Sequence, residues 1–278
     1  MQRFIQVLAI AGFFLCGPAS AQGLFENRAT KLQSLNSLDA SKTWRGVGRI
    51  NLGGIGFCTG TLIADDLVLT AAHCFFNKRT GKRIESSKVE FLAGLRSGRA
   101  SAYRNVRRVI LHPEYVYDGA QTYERYATDL ALIELDRAIR DKAISPFETS
   151  QRGYFGQEVQ VVSYAKDRED APSIQETCHV IANKTSVFVT SCDVDFGASG
   201  APIFAIEDGI PRIMSVVSAK AEWQSKKVSI AAGLEDHLGT LLALLETSDG
   251  VFQRQRQPAR KLTLGQARSQ TGALFVRP

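Results

Sequence analysis

The sequence predicts an all-β fold, and three observations support that prediction. From Trp44 onward, short apolar runs alternate with Gly, Asp, Asn and Ser, which is the pattern of strands joined by turns. Many short strands at close spacing are typical of a barrel or a sandwich. The chain has 278 residues, of which 44% are hydrophobic and 22% charged, so it is long enough to bury one or two sizeable cores.

Twelve segments fit strands, with a linker over 136–151. The predicted strands are 46–51, 56–64, 67–70, 88–93, 101–111 and 130–136 before the linker, and 157–164, 176–182, 186–190, 202–206, 212–219 and 228–233 after it. A C-terminal amphipathic helix is predicted over 235–246, because leucines recur there at helical spacing, at 238, 241, 242 and 245.

The first 21 residues have the features of a secretory signal peptide. Arg3 gives a positive start, residues 4–16 are mostly apolar, and Ala19-Ser20-Ala21 forms a cleavage signal. A membrane anchor is the weaker interpretation, because an apolar run of about a dozen residues is too short to cross a bilayer. The sequence therefore predicts a secreted or periplasmic protein with no integral membrane segment in the mature chain.

Two further segments flank the predicted domain, which runs over residues 44–247. Residues 22–43 contain leucines at 32, 35 and 38 that suggest a short helix, either packed on the domain or part of a removable pro-segment. Residues 248–278 form a basic tail, predicted to be disordered, with weak contact to anionic surfaces as its alternative role. Residues 251–278 contain six basic residues and no acidic one, which leaves the body of the mature chain near neutral despite a net charge of +6. A near-neutral body argues against nucleic-acid binding.

Removing the signal peptide leaves four cysteines, at positions 58, 74, 178 and 192. An even number in an exported protein suggests two disulfides. Of the three possible pairings we predict the local one, Cys58 with Cys74 and Cys178 with Cys192. A zinc site is the competing interpretation, but the sequence has no C-x-x-C spacing, and we predict neither a metal nor a cofactor.

Three positions carry the residue types that nucleophilic hydrolysis requires. A serine nucleophile needs a base for its proton, a group that orients the base, and donors for the developing oxyanion. His73 follows an apolar run, Asp129 begins another, and Ser199 lies between small residues that allow backbone N–H groups to converge.

The motifs around these positions resemble those of the trypsin-like (chymotrypsin-fold) serine proteases. The similarity lies in Thr70-Ala71-Ala72-His73-Cys74, Asp129-Leu130-Ala131-Leu132-Ile133, Gly197-Ala198-Ser199-Gly200-Ala201-Pro202, Cys58-Thr59-Gly60-Thr61-Leu62-Ile63 and Val109-Ile110-Leu111-His112-Pro113-Glu114-Tyr115. It covers about residues 44–235, in the order His, Asp, Ser. It implies two six-stranded antiparallel β-barrels, at about 44–140 and 151–235, with the site in the cleft between them.

The resemblance also implies roles for these residues. Ser199 is expected to be the nucleophile, His73 the general base and acid, and Asp129 the group that orients the imidazole. The backbone N–H groups of Gly197 and Ser199 are expected to form the oxyanion hole. This predicts a secreted serine endopeptidase that hydrolyses protein or peptide substrates through an acyl-enzyme. The alternative is a catalytically inactive member of the fold that acts as a binding or adhesion module.

Two departures from the family pattern concern activation and specificity. Ala198 stands where the family has the aspartate that pairs with a new N-terminus, so that activation switch cannot operate here. Asp193 lies six residues before Ser199, where an acidic base of the primary pocket favours Arg or Lys. Ser218 and Lys220 align with the strand that lines this pocket, and Lys220 could neutralise Asp193 or narrow the entrance.

Overall fold

The structure is a computed structural model that describes residues 29–150 and 153–247. Within these ranges the chain forms thirteen strands and two α-helices. The predicted signal peptide, the first residues of the 22–43 segment and the basic tail lie outside the described residues. In the part of the chain that is described, no helix is long and apolar enough to cross a membrane.

Six strands close the first barrel. They are β2 (Val47–Leu52), β3 (Phe57–Ala64), β4 (Leu67–Thr70), β5 (Val89–Ala93), β6 (Ala102–Leu111) and β7 (Ala131–Leu135). Their spatial order is β2-β3-β4-β7-β6-β5, and β2 pairs with both β3 and β5 to complete the ring. Ile50, Leu62 and Phe91 are fully buried in the core that these strands enclose.

Six later strands form the second barrel. They are β8 (Glu158–Ala165), β9 (Arg168–Lys184), β10 (Val187–Thr190), β11 (Pro202–Glu207), β12 (Ile210–Trp223) and β13 (Lys226–Gly233). Their order is β9-β10-β13-β12-β11-β8, and β8 also pairs with β9, so this sheet closes as well. A second cluster of buried apolar side chains fills it, including Val159, Ile203 and Met214. The predicted all-β fold is therefore confirmed.

All twelve predicted strands are present, and most of their bounds agree within two residues. The exceptions are β9, which begins at Arg168 rather than 176, and β12, which ends at Trp223 rather than 219. β9 continues through Pro172 and the charged residues before it, paired with β8. Register shifts within the β8–β9 and β12–β13 pairs bend these long strands.

The helix suggested by the leucines at 32, 35 and 38 is wrong. Gln33–Ser34 instead form β1, a short strand on the outer edge of β9. Leu35 is buried while Leu38 is 63% exposed, so the leucines do not share one face. The free edge of β9 supplies backbone partners that a single turn of helix could not, and the Leu35 N–H donates to the Pro172 carbonyl at 2.9 Å.

Two helices complete the fold. The C-terminal helix α2 (His237–Thr247) confirms the predicted amphipathic helix, with Leu241 fully buried. The short helix α1 (Tyr123–Ala127) was not predicted, because five residues are too few to show helical periodicity. Its start is fixed by the Thr122 hydroxyl, which accepts a hydrogen bond from the Arg125 N–H.

Both predicted disulfides are present and local. Cys58 is bonded to Cys74, across 16 residues, and Cys178 to Cys192, across 14 residues. The first joins the start of β3 to the turn that follows β4, and the second joins β9 to the segment after β10. Each disulfide therefore stabilises one barrel, and neither links the two.

A histidine pair joins α2 to the first barrel. His112, which follows β6, and His237, the first residue of α2, approach with Nε2 and Nδ1 3.0 Å apart. His112 Nδ1 accepts a bond from the Glu114 N–H, so its Nε2 must donate to His237 when both rings are neutral. Burial lowers the pKa of His112, the charge of His237 lowers it further, and Glu114 opposes the shift.

We predict that this pair makes the fold less stable in acid. The pKa of His112 is below its ordinary value of 6.5 in the folded state, so the unfolded chain binds more protons as pH falls through that value. Unfolding free energy should therefore fall more steeply between pH 7.5 and pH 5.5 in the wild type than in His112→Gln. Urea unfolding at both pH values measures this, and equal slopes would contradict it.

Candidate active site

His73 is held in one orientation by its backbone and by its ring. It lies in a 3-10 turn, Ala72–Phe75, that directly follows β4 and is tied to β3 by the disulfide of Cys74. The backbone N–H of His73 donates to Asp129 Oδ1 at 2.8 Å, and ring Nδ1 lies 2.7 Å from Asp129 Oδ2. This side chain is mostly buried, with 8% of the residue exposed.

Asp129 is a buried carboxylate, 1% exposed, placed between α1 and β7. The Ser218 hydroxyl donates a further hydrogen bond to Oδ2 from strand β12. Burial alone would raise the pKa of Asp129, but the charge of His73 and the hydrogen bonds from His73 and Ser218 together lower it. The carboxylate is therefore ionised, and it receives donors from both barrels.

The ionised carboxylate determines the tautomer of His73. An ionised carboxylate only accepts hydrogen bonds, so Nδ1 must carry a proton and Nε2 of the neutral ring is left as an acceptor. His73 and Ser199 line the same cleft. Within the described residues no hydrogen bond joins the Ser199 hydroxyl to the ring, a bond that in such sites often tightens when substrate binds.

Ser199 lies in a tight turn that leaves two backbone donors free. The Ala198 N–H bonds back to the Asp195 carbonyl at 2.9 Å, and the Gly200 N–H bonds to Val217 at 2.8 Å. Among the described residues, the N–H groups of Gly197 and Ser199 have no acceptor. These are the two groups that the sequence predicted for an oxyanion hole.

The peptide that carries the Gly197 N–H is fixed from its opposite side. The Phe196 carbonyl accepts a bond from the Lys166 N–H at 2.7 Å. In a planar trans peptide the C=O and N–H point in opposite directions, so the Gly197 N–H points away from Lys166. Gly197 has φ +99°, and a Cβ there would lie 2.3 Å from the Phe57 ring, so only glycine fits.

Thr59, a fully buried residue on β3, connects the serine turn to both barrels. Its hydroxyl donates to the Gly197 carbonyl at 2.9 Å and accepts from the Tyr164 N–H at 3.1 Å. Its own N–H donates to the Ser199 carbonyl at 2.9 Å. Thr59 therefore anchors the serine turn to the first barrel. Ala198, which is buried in the same turn, has no charged side chain that could form an ion pair. Thr59 belongs to one of the family-like motifs, but its contacts with the serine turn are too distant in sequence to be visible in that motif.

The three predicted pocket residues are not brought together. Asp193 is exposed, and its N–H bonds to the Gln175 side chain at 2.7 Å. Lys220 pairs with Asp195 at 2.6 Å rather than with Asp193. The hydroxyl of Ser218 is directed to Asp129, as described above.

Arg168 is the cation that influences Asp193. Burial lowers the pKa of Arg168, and the nearby carboxylates of Asp193 and Asp195 oppose that shift. Its guanidinium also donates to the Ser163 carbonyl at 2.7 Å. The positive charge of Arg168 therefore partly neutralises the negative charge of Asp193.

An open cleft of about 580 Å³ extends from His73 and Ser199 over the first barrel. Its lining includes both cysteines of the Cys58–Cys74 disulfide. Its full lining is Leu52, Ile55, Gly56, Phe57, Cys58, His73, Cys74, Phe76, Asn77, Lys78, Arg79, Ile84, Lys166, Phe196, Gly197 and Ser199. The three cations in this set were not singled out from the sequence, because Lys78 and Arg79 are separated from Lys166 by most of the first barrel in the chain.

The same region has no free thiolate for a metal. Cys58, His73 and Cys74 bring potential ligand atoms within 4.8 Å of one another. Both sulfurs belong to the disulfide, so neither can act as a thiolate ligand.

The fold and this geometry define the class of protein: two closed six-stranded barrels, with a buried His–Asp pair and a serine turn facing one cleft. The family model described as Trypsin matches residues 39–233, more than half of the chain. The chain therefore belongs to the trypsin family of serine proteases, as its motifs predicted.

Individual relatives are more distant. The chain is 35% identical over 86 residues to thrombin-like enzyme elegaxobin-1 of Protobothrops elegans, which covers 31% of this chain and 32% of that protein. It is 28% identical over 145 residues to snake venom serine protease Dav-KN of Deinagkistrodon acutus, covering 51% and 45% respectively. Each of these matches spans less than half of the relative's length.

A solved structure shares the fold. A Glu endopeptidase in complex with MPD superimposes with a TM-score of 0.64 and 18% identity, over 77% of this chain and 95% of that one. At this level of identity the likeness shows the fold alone.

We predict that valine substitution destabilises the fold at one threonine of β3 but not at another. Thr59→Val leaves the Gly197 carbonyl and the Tyr164 N–H without their buried partner, and should lower the unfolding free energy by about 1–3 kcal/mol. Thr61 is also buried, but its hydroxyl has no hydrogen-bond partner among the described residues. Thr61→Val should therefore be neutral or stabilising.

Urea unfolding of both variants, with Thr59→Ser as the conservative control, measures the difference. Thr59→Ser keeps the hydroxyl and should recover most of the loss. Equal destabilisation by the two valine substitutions would contradict the role given to Thr59.

Proposed function

We propose that the protein is a serine endopeptidase that uses Ser199, His73 and Asp129. The observation that supports this most directly is the His73–Asp129 pair, with distances of 2.7 and 2.8 Å, facing the cleft that Ser199 also lines. His73 Nε2 takes the proton of the Ser199 hydroxyl as it attacks the scissile carbonyl. Asp129 stabilises the imidazolium that forms.

The free N–H groups of Gly197 and Ser199 stabilise the oxyanion of the tetrahedral intermediate. Collapse of this intermediate breaks the C–N bond, His73 donates the proton to the leaving amine, and an acyl-enzyme remains on Ser199. Water then attacks the acyl group by the same route and releases the acid product. The turn that carries these donors is held by Thr59 and the Lys166 N–H, which supports activity without the family's aspartate at position 198.

An oxidising compartment fits the same proposal. Two disulfides are typical of exported proteins, and they accompany the signal peptide predicted over residues 1–21. We propose that the mature protein acts on proteins or peptides outside the cytoplasm, as a secreted or periplasmic enzyme.

The triad is tested by active-site labelling of the purified mature chain. A fluorophosphonate probe should label the wild type, and Ser199→Ala should abolish labelling because the attacking oxygen is lost. Asp129→Asn should lower kcat by about 10⁴-fold, since the imidazole then loses its orienting charge. Ser87→Ala, an exposed serine that does not line the cleft, is the matched control and should be labelled like the wild type. Equal labelling of Ser199→Ala would refute the assignment and favour a non-catalytic binding protein.

We propose a preference for Arg or Lys before the scissile bond, supported by the carboxylate of Asp193. Lys220 is engaged by Asp195, which leaves Asp193 available to a substrate cation. Asp193→Asn should reduce the kcat/KM ratio of Arg over Leu substrates by about tenfold, or less where Arg168 already screens the carboxylate.

Asp208→Asn, in the turn between β11 and β12, removes the same charge away from the cleft and is the control. A substrate series that varies only this residue (Arg, Lys, Leu and Glu) measures the ratio. A wild type without preference for Arg or Lys, or a ratio that Asp193→Asn leaves unchanged, would contradict the assignment.

A further inference from the structure

The cleft beside His73 differs in charge from the rest of the protein. Of its sixteen lining residues, three are cations (Lys78, Arg79 and Lys166) and none is acidic. All three are exposed. Within the described residues, no carboxylate lies within ion-pair distance of any of them.

Asp195, which precedes the cleft residue Phe196, is already paired with a lysine outside the cleft. Phe196 lies between two lysines, with Lys220 Nζ 3.9 Å and Lys78 Nζ 5.4 Å from its ring centroid. Asp195 bonds to Lys220, and this hydrogen bond lowers the pKa of Asp195. The Asp195 carboxylate is therefore engaged by Lys220, whereas Lys78 lies over the Phe196 ring and has no carboxylate partner among the described residues.

The position of the cleft identifies the part of the substrate that it receives. Asp193, which the proposed function places on the acyl side, does not line it, and neither do Ser218 and Lys220. His73, which gives its proton to the leaving amine in the proposed reaction, does line it. A peptide that crosses Ser199 therefore places the residues after its scissile bond over Phe57 and the Cys58–Cys74 disulfide.

Resting on the proposed function, we propose that this cleft selects substrates with a carboxylate within the first three residues after the scissile bond. The apolar walls bury the peptide, and the cations at the rim attract its negative charge. Exposed ion pairs are individually weak, so the three cations together should favour Glu over Lys by about tenfold in kcat/KM.

The carboxylate can come from an acidic side chain or from the C-terminus of a short substrate. One set of peptides keeps the acyl side fixed and carries Glu, Gln or Lys at the second or third position after the bond. A second set ends at the third position, as a free acid or as an amide. A preference for Glu in the first set identifies side-chain carboxylates, and a preference for the free acid in the second identifies chain ends.

The test compares the wild type with Lys78→Gln/Arg79→Gln/Lys166→Gln. In this variant, the kcat/KM ratio of Glu over Lys substrates should fall to about twofold or less. In the wild type, the same ratio should decrease at 0.5 M salt, because salt screens the charges. Lys82→Gln removes a charge from the same loop but outside the cleft, and it should keep the preference.

Fluorophosphonate labelling separates the two ways of failing. A wild type that is not labelled refutes the proposed function itself. A labelled wild type that shows no preference for a carboxylate in either peptide set overturns the inference about the cleft alone. A preference that persists in a triple variant that is still labelled overturns it as well.

Discussion

The structure depends on a buried negative charge that neither barrel could hold alone. Asp129 is almost fully buried, and an unpaired carboxylate in such a place would be strongly destabilising. Its donors come from His73 after β4 and from Ser218 on β12, so the charge is satisfied only when both barrels are in place. The same contacts orient the imidazole, and stability and site geometry are therefore set by one group of hydrogen bonds.

The serine turn is positioned by hydrogen bonds where the family's pattern has an ion pair. Ala198 has no side chain that could anchor the turn, and it packs among apolar residues of the second barrel. The Thr59 hydroxyl, the Thr59 N–H and the Lys166 N–H bind three successive parts of the turn instead. None of these bonds involves a free N-terminus.

The motifs and the alternation of apolar runs with turn residues allowed most of the fold to be predicted. These strand patterns, the disulfide spacing and the histidine motif are all local in sequence. The extension of β9 could not be predicted, since its early residues are paired only because β8 lies beside them. The pairing of Lys220 with Asp195 rather than Asp193 depends on how strand β12 meets the loop before Ser199. Likewise, the role of Thr59 depends on contacts 105 and 138 residues away in the chain.

The two lysines beside Phe196 differ in whether a carboxylate neutralises their charge. Lys220 and Lys78 both approach this ring, but only Lys220 has a carboxylate within reach. A paired lysine contributes little net field, whereas an unpaired one attracts an anion. In the proposed reaction, Asp193 is therefore an exposed carboxylate on the acyl side, and Lys78, Arg79 and Lys166 are exposed cations on the leaving-group side. Under the proposed function, these opposite charges favour a substrate with a cation before the scissile bond and an anion after it, which would also set the direction in which that substrate binds.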